Sequence, residues 1–337
     1  MNFDYYLPVN ISFGIGKIDN LGVKARGYGK KVFIATGSGS AKKSGLLDKS
    51  AALLKEQNID VYIFDKITPN PTTDIVELGV KLLKENNCDF VLGLGGGSIL
   101  DAAKAIAFMS KNSGDLMDYV YNRKKSDAAL PLVLVPTTCG TGSEANGFAV
   151  VTDVKTGDKK SLRSNAIISK LSIVDPSLMK TMPKQVLSSV GFDALCHCIE
   201  ANISKISNPM SKLFSIYAIK LINESLLPLY QGNNDDALWE KMTLASSLGG
   251  MSINIAGVAA PHALEHPASG FRNITHGCGL SALSPVIYEK TIPKSPENFE
   301  EIAKALKLKN AADLCGWLNN LIALLNLPKT LKQQGVI

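Results

Sequence analysis

The 337-residue chain lacks any apolar run of the roughly 18 residues that a bilayer-crossing helix requires. Its greasiest stretch, Gly249 to Ala260, is too short, so no membrane association is expected. The opening, MNFDYYLPVNISFG, has neither a basic start nor an apolar segment ending in a small-residue cleavage site. With no secretory signal legible there, a cytoplasmic location is the expectation. Cysteine is sparse: six residues, at 88, 139, 196, 198, 278 and 315, are scattered along the chain, which predicts reduced thiols rather than a disulfide framework. A basic stripe is missing too. Lys and Arg exceed Asp and Glu by 36 − 30 = 6, but the excess is dispersed in Lys30-Lys31, Lys42-Lys43, Arg123-Lys124-Lys125 and Lys159-Lys160. Without interleaved aromatics these read as solvated surface, and no nucleic-acid partner is expected. No internal repeat or low-complexity tract is present.

What remains is the composition of a packed globular protein, 45% hydrophobic and 20% charged. At roughly 150 residues per domain, the length suggests two domains. Up to about residue 180, short apolar runs (Lys31 to Thr36, Val61 to Phe64, Phe90 to Leu94, Leu132 to Val135, Ile167 to Val174) alternate with segments of helical spacing, such as Leu46 to Gln57 and Ile75 to Asn86. This punctuation predicts a parallel sheet covered by helices. Beyond it the texture changes to long periodic stretches, Ser189 to Ser204, Pro209 to Tyr230, Asp236 to Ala256 and Pro296 to Leu325, which predict an all-helical second half. The boundary is expected between Asp175 and Pro183, where two prolines interrupt the pattern.

Three turns follow apolar runs in the first half. Phe90 to Leu94 runs into Gly95-Gly96-Gly97-Ser98 and a helix expected over Ile99 to Met109. Three glycines let backbone amides approach an anion, and the helix start adds partial positive charge for a phosphate. Ser98 stands where the dinucleotide pattern has its last glycine, and Ser98 with Asp101 also fits a helix capping box. The second turn, Thr36-Gly37-Ser38-Gly39-Ser40, precedes Lys42 and Lys43. An acid at such a strand end would repel a 2′-phosphate; Gly37 supplies none, which favours NADP(H), with Ser38, Ser40 and the lysines as phosphate partners. The third, Pro136 to Glu144, places hydroxyls and glycines at a strand's carboxyl end, where α/β proteins bind ligands or simply turn.

The chain has four histidines, three of them between residues 262 and 276. Such clustering favours metal binding or proton transfer. Asp193 and His197 are four apart in a helical stretch, hence offset by about 40° and able to share one ligand, and a carboxylate with imidazole suits zinc or ferrous iron. Cys196 and Cys198, about 200° apart on that helix, cannot both join His197 on one metal. His262-Ala263-Leu264-Glu265-His266 has the H-x-x-E-H form of an inverted zinc-protease motif, although Pro267 would end or distort a helix carrying both histidines. Alternatively, one of this pair joins His276, Asp193 and His197; spacing does not decide which.

Taken together, GGGSILDAAK, PTTCGTGSE, GFDALCHCIE and HALEHPASGFRNITHG resemble, in order and spacing, the iron-containing (group III) alcohol dehydrogenases, and the resemblance covers essentially the whole chain. It implies a dehydroquinate-synthase-like fold: an α/β Rossmann-like domain with a parallel sheet over 1–178, an all-α metal-binding domain over 179–337, and an active site in the cleft between them. By the same resemblance Asp193, His197, His262 and His276 are the metal ligands, and His266 is the catalytic histidine that does not bind metal. Gly95, Gly96, Gly97 and Ser98 form the pyrophosphate loop. Thr137 and Thr138, with Gly142 and Ser143, belong to the cofactor cleft, and Lys160 matches a lysine that contacts cofactor ribose, with Lys159 the neighbouring alignment. Relatives that prefer NAD often have Asp at the position of Gly37, and relatives usually continue into further helices beyond Gln334-Gly335-Val336.

The implied function is reversible hydride transfer between a small alcohol or aldehyde and NAD(P)(H), assisted by Fe2+, with Zn2+ chemically admissible. Phe148, Leu195 and Phe271 are candidates for an apolar substrate surface, or simply core. A homo-oligomer, dimer or larger, is expected. The alternatives are a metal- and NAD-dependent lyase of the dehydroquinate synthase type and, more remotely, a zinc protease.

Overall fold

Strands read as unbroken apolar runs when both faces of their sheet are covered. That is how Val32 and Ile34 come to face one hydrophobic layer while Phe33 and Ala35 face the other. In the computed structural model, which describes residues 2–336, these runs build an α/β unit comprising residues 7–138 and 143–181. Its elements are β1 (Ile11–Phe13), α1 (Leu21–Ala25), β2 (Lys31–Ala35), α2 (Ser40–Lys43), α3 (Leu46–Lys55), β3 (Asp60–Phe64), α4 (Thr73–Glu85), β4 (Phe90–Gly95), α5 (Gly97–Met109), α6 (Leu116–Val120), β5 (Leu132–Pro136), β6 (Phe148–Thr152), β7 (Lys159–Arg163) and β8 (Leu171–Val174). Six strands form one sheet in the order β1-β8-β5-β4-β2-β3, every pair parallel. From β2 the chain proceeds to β3 on one side and then crosses to β4 on the other, so the carboxyl ends of β2 and β4 flank a topological switch point, the usual ligand position in such sheets.

The antiparallel hairpin β6–β7 was not foreseen, nor was three-residue β1. Only the end of the Ile167 to Val174 run is strand, because Asn165–Ile167 is a 3-10 turn. Helix α5 starts at Gly97, two residues before its expected start, so Ser98 lies inside it and the capping box with Asp101 does not form. Instead Ser98 Oγ accepts from Asn70 N at 3.3 Å, while Asp101 accepts from Val150 N of the hairpin at 3.0 Å.

The other unit comprises residues 2–6, 139–142 and 182–336. Its elements are helices α7 (Lys184–Ile203), α8 (Pro209–Tyr230), α9 (Asp236–Ala256), α10 (Ala260–Arg272), α11 (His276–Thr291), α12 (Pro296–Ala305) and α13 (Leu314–Leu324). The division at 181/182 falls within the expected Asp175 to Pro183 span, three residues beyond 178/179, and a single linear boundary misses the assignment of 139–142 to the helical unit. There Gly142, at φ +57°, lies so near α9 that a β-carbon on it would stand 2.4 Å from Ser246 O and 2.5 Å from Gly250 N.

Helix α8 starts where its sequence directs: Asn208 Oδ1 accepts from Met210 N and Ser211 N at 2.9 and 3.2 Å, and Pro209 opens the first turn. The periodic stretch Pro296 to Leu325 is two helices, broken where Lys307 adopts φ +61°. Contrary to expectation, α10 continues through Pro267 to Arg272. A proline removes one i→i−4 backbone bond, a cost of about 3 kcal/mol that tertiary packing of the helix can offset. Among the described residues no single helix is long and apolar enough to cross a membrane, and all six cysteines are free thiols.

Candidate functional site

Helix α7 carries Asp193 and His197 one turn apart, both buried. Helix α10 brings His262 to them. After α10 the chain turns on Asn273, whose left-handed backbone lets its N–H bond Ser269 O at 2.9 Å, and His276 opens α11. Gly277 then sits so close to α7 that a β-carbon on it would stand 2.0 Å from Ser189 O, and this close approach sets His276 beside Asp193.

The result is convergence on one oxygen. Asp193 Oδ1 lies 3.5 Å from His197 Nε2, 3.3 Å from His262 Nε2 and 3.6 Å from His276 Nε2. Ligands about 2.1 Å from a tetrahedral ion stand about 3.4 Å apart, so this spacing suits a single cation. Asp193, His262 and His276 offer ligand atoms within 4.8 Å of one another, and His197 stacks on His262 with ring centroids 4.6 Å apart. One carboxylate and three imidazoles form an N/O set that accepts Fe2+ or Zn2+.

Asp193 and His197 are held in the forms that a ligand needs, whereas His262 is drawn toward its charged form by the two carboxylates beside it. Burial alone would raise the carboxyl of Asp193, but the surrounding imidazoles of His197, His276 and His262 hold it well below the usual carboxylate range, so it is ionised at neutral pH. Burial pulls His197 down to about 4, keeping its imidazole neutral. Burial also opposes charge on His262, yet Glu200 and Asp193 raise it to about 10.

His266 is half-buried beside this cluster, its ring centroid 6.1 Å from that of His262 and 5.5 Å from that of His276. The ambiguity of spacing is thereby resolved geometrically: His262 is the member of the pair that reaches Asp193. Glu265, His266 and His276 also cluster, but Glu265 Oε2 bonds His276 Nδ1 directly in a short contact, leaving no room for an ion between them. Cys196 Sγ turns to Ser284 Oγ at 3.3 Å, and Cys198 is buried toward Gly249 of α9. Two acids went unassigned in the sequence. Glu200 bonds His262 Nδ1 at 2.6 Å, and Glu265, noticed only within H-x-x-E-H, bonds His276. Residues 193, 197 and 200 share one face of a helix, which was the available signal for Glu200.

Within the α/β unit, the glycine-rich turn lies at the carboxyl end of β4. Gly95 adopts φ +155°, and a β-carbon there would meet Ile99 Cγ1 at 2.7 Å, so only glycine turns the strand this tightly into α5. No side chain caps the start of α5 at Gly96, and Gly97 and Ser98 open the helix. Thr137 N donates to Gly95 O at 3.0 Å, and Thr138 lies against Gly96. Gly37 follows β2; Ser38 and Ser40 are exposed, as are Lys42 and Lys43. A hollow of about 230 Å³ opens among Ser40, Ser44, Lys49, Thr137, Ser177 and Leu178. Ser143 is buried, and its Oγ donates to Asp101 Oδ1 at 2.6 Å.

The two lysines of β7 diverge. Lys160 is exposed and pairs with Asp158 at 3.6 Å, whereas buried Lys159 donates to Asn70 Oδ1 at 2.9 Å, and Asn70 in turn donates to Ser98. Lys159, the alternative alignment, is thus the lysine on the side of the glycine-rich turn, because alternate strand residues face opposite ways. Of the three candidate substrate residues, Leu195 is wholly buried core, Phe148 lies under Arg163, and Phe271 is 69% exposed.

The sequence profile of the iron-containing alcohol dehydrogenases matches residues 8–176, and that of the C-terminal region of the Fe-containing alcohol dehydrogenase family matches residues 188–337. Alcohol dehydrogenase 4 of Saccharomyces cerevisiae is 35% identical over 338 residues, covering 98% of this chain and 88% of its own. The NADPH-dependent butanol dehydrogenase of Clostridium saccharobutylicum is 32% identical (98% and 87% covered), as is the NAD-dependent methanol dehydrogenase of Bacillus methanolicus (90% and 80%). The crystal structure of an archaeal halo-thermophilic Red Sea brine pool alcohol dehydrogenase is similar with a TM-score of 0.96 at 32% identity, over 100% of this chain and 90% of that one.

Proposed function

The chain belongs to the iron-containing alcohol dehydrogenase family and is an alcohol dehydrogenase/aldehyde reductase; on that premise we propose that it works with one divalent ion, Fe2+ ahead of Zn2+, and with NADP(H) ahead of NAD(H). The observation that carries the metal reading is the convergence of three Nε2 atoms on Asp193 Oδ1. Asp193, His197, His262 and His276 would hold the ion. When bound there it supplies Lewis acidity, favouring alkoxide in one direction and polarising a carbonyl in the other.

The chain's own groups do the rest. The amides of Gly97 and Ser98 at the start of α5 receive the pyrophosphate, and Gly95 and Gly96 let it come close. Thr137 and Ser40 offer hydroxyls to the nucleotide, and Lys159 takes the ribose contact in place of Lys160. The preference for NADP(H) rests on Gly37, which supplies no acid to repel a 2′-phosphate, with Ser38, Ser40, Lys42 and Lys43 exposed nearby in sequence. His266 passes the hydroxyl proton of the alcohol toward solvent during oxidation and returns one during reduction. A nicotinamide nucleotide held by these residues would supply the hydride acceptor for the carbinol carbon of a small alcohol, and the donor in the reverse direction. A protease role finds no support, since Glu265, which would activate water, is bonded to His276.

The test is a pair of variants. His262→Ala should abolish metal retention, whereas His266→Ala should keep the metal and lose rate; equal metal loss in both would reverse their roles. Steady turnover of reduced-nicotinamide absorbance with simple alcohols or aldehydes, faster with NADP(H), separates this reading from a lyase that shows no net cofactor turnover.

A further inference from the structure

Two wholly buried glutamates stand behind the histidines of the metal centre. Glu200, on α7, accepts from His262 Nδ1 at 2.6 Å, and its other oxygen accepts from Ala259 N at the entry to α10. Glu265, on α10, accepts from His276 Nδ1, while Ser269 Oγ donates to the same carboxylate oxygen at 3.3 Å. Space is reserved for it on α11: a β-carbon on Gly279 would stand 2.7 Å from Glu265 Cγ and 2.9 Å from its Oε1. Each helix thus steadies the histidine of the next, α7 that of α10 and α10 that of α11. His197 differs, since among the described residues its buried Nδ1 meets no hydrogen-bond partner.

We propose that Glu200 and Glu265 are positioning residues of the metal centre, locking His262 and His276 as Nδ1–H tautomers with the Nε2 lone pairs aimed at the ion. The inference rests on the reading that Asp193 and the three histidines hold a divalent cation. A neutral imidazole coordinates through the nitrogen that carries no proton, and a carboxylate opposite Nδ1 places the proton there. A free imidazole would divide its population between tautomers and ring orientations, and only one combination binds. Burying two carboxylates is costly in itself, and their placement behind ligands lets their charge increase ligand basicity. This also gives the acid of H-x-x-E-H a task unrelated to activating water.

The test uses full-length wild type, Glu200→Gln and Glu265→Gln, stripped with chelator and titrated with Zn2+ and Co2+. Each variant should bind roughly tenfold to a hundredfold more weakly. The visible Co2+ absorption should change shape, which a purely structural role would not cause. Failure of the wild type to bind any divalent ion would remove the metal reading itself. Wild-type binding with equal affinities and identical Co2+ spectra in both variants would overturn the proposal alone. Should a variant not fold, long-range proton–nitrogen spectra of zinc-loaded wild type decide: protons on Nδ1 of His262 and His276 support the proposal, and a proton on Nε2 of either overturns it.

Discussion

Lys104 is a fully buried cation whose amine donates to Ser143 Oγ at 2.8 Å, Asn146 Oδ1 at 3.0 Å and Phe148 O at 2.8 Å. Burial pulls it down to about 8 from its ordinary 10.5, against the opposing pull of Asp101 and Glu144, and burial likewise pushes Asp101 up. Below pH 8 both folded and unfolded chains carry the proton, so the full cost of burying the charge is present. Between about 8 and 10.5 the unfolded chain binds more protons, so stability should rise with pH across that window. Lys104→Met should flatten that rise, because no amine remains to titrate, and should remove the donor shared by Ser143 Oγ, Asn146 Oδ1 and Phe148 O, at a cost of about 1–3 kcal/mol for a buried acceptor left unpaired. Urea unfolding of both proteins from pH 7 to 10.5 checks this, and parallel curves would contradict it. None of this was legible in the sequence, where Lys104 is an ordinary member of a helix and Asp101 looked like half of a cap. Its partners lie about forty residues away along the chain, beyond the reach of local pattern.

Among the elements, α11 has the narrowest tolerance. Gly277→Ala would force a β-carbon into Ser189 O of α7 and push His276 away from Asp193. We expect about 1–3 kcal/mol of lost stability by urea unfolding, together with weaker metal retention. Retention equal to wild type would mean that the approach of the two helices does not set His276. Long elements were read well because their periodicity is sustained: α8 and α9 have the boundaries the apolar spacing gave. The hairpin strands were missed because Lys159–Arg163 reads KKSLR and owes its conformation to pairing with β6 rather than to its own hydrophobic pattern. Likewise, helical spacing continued across Lys307, but the backbone did not. The cluster of Asp193 with three histidines was legible as a set because histidine is scarce and grouped in the sequence, whereas its arrangement needed the turn at Asn273, which brings α11 back to α7.

For the molecule as a whole, the proposed metal centre concentrates three buried acids, Asp193, Glu200 and Glu265, on α7 and α10. An ion bound only by the native state adds about 2.7 kcal/mol of stability when present at a hundred times its dissociation constant. Calorimetry before and after chelation should therefore show a lower melting temperature without the ion, restored by Fe2+ or Zn2+. An unchanged melting temperature at saturating ion would contradict native-state binding at this centre. The division into α/β and helical halves was anticipated from the change in texture near residue 180, but the allocation of 139–142 was not, since four residues carry no texture of their own.

That short strip has a consequence for dissecting the gene. A fragment opening at residue 182 would encode α7 to α13 and yet leave bare the backbone of Ser246 and Gly250, against which Gly142 lies. The complementary fragment, closing at 181, would carry the strip as an orphan in the middle of its own chain. No pair of scissors applied once can separate these halves intact; only a circularly rearranged or spliced polypeptide could deliver either one complete.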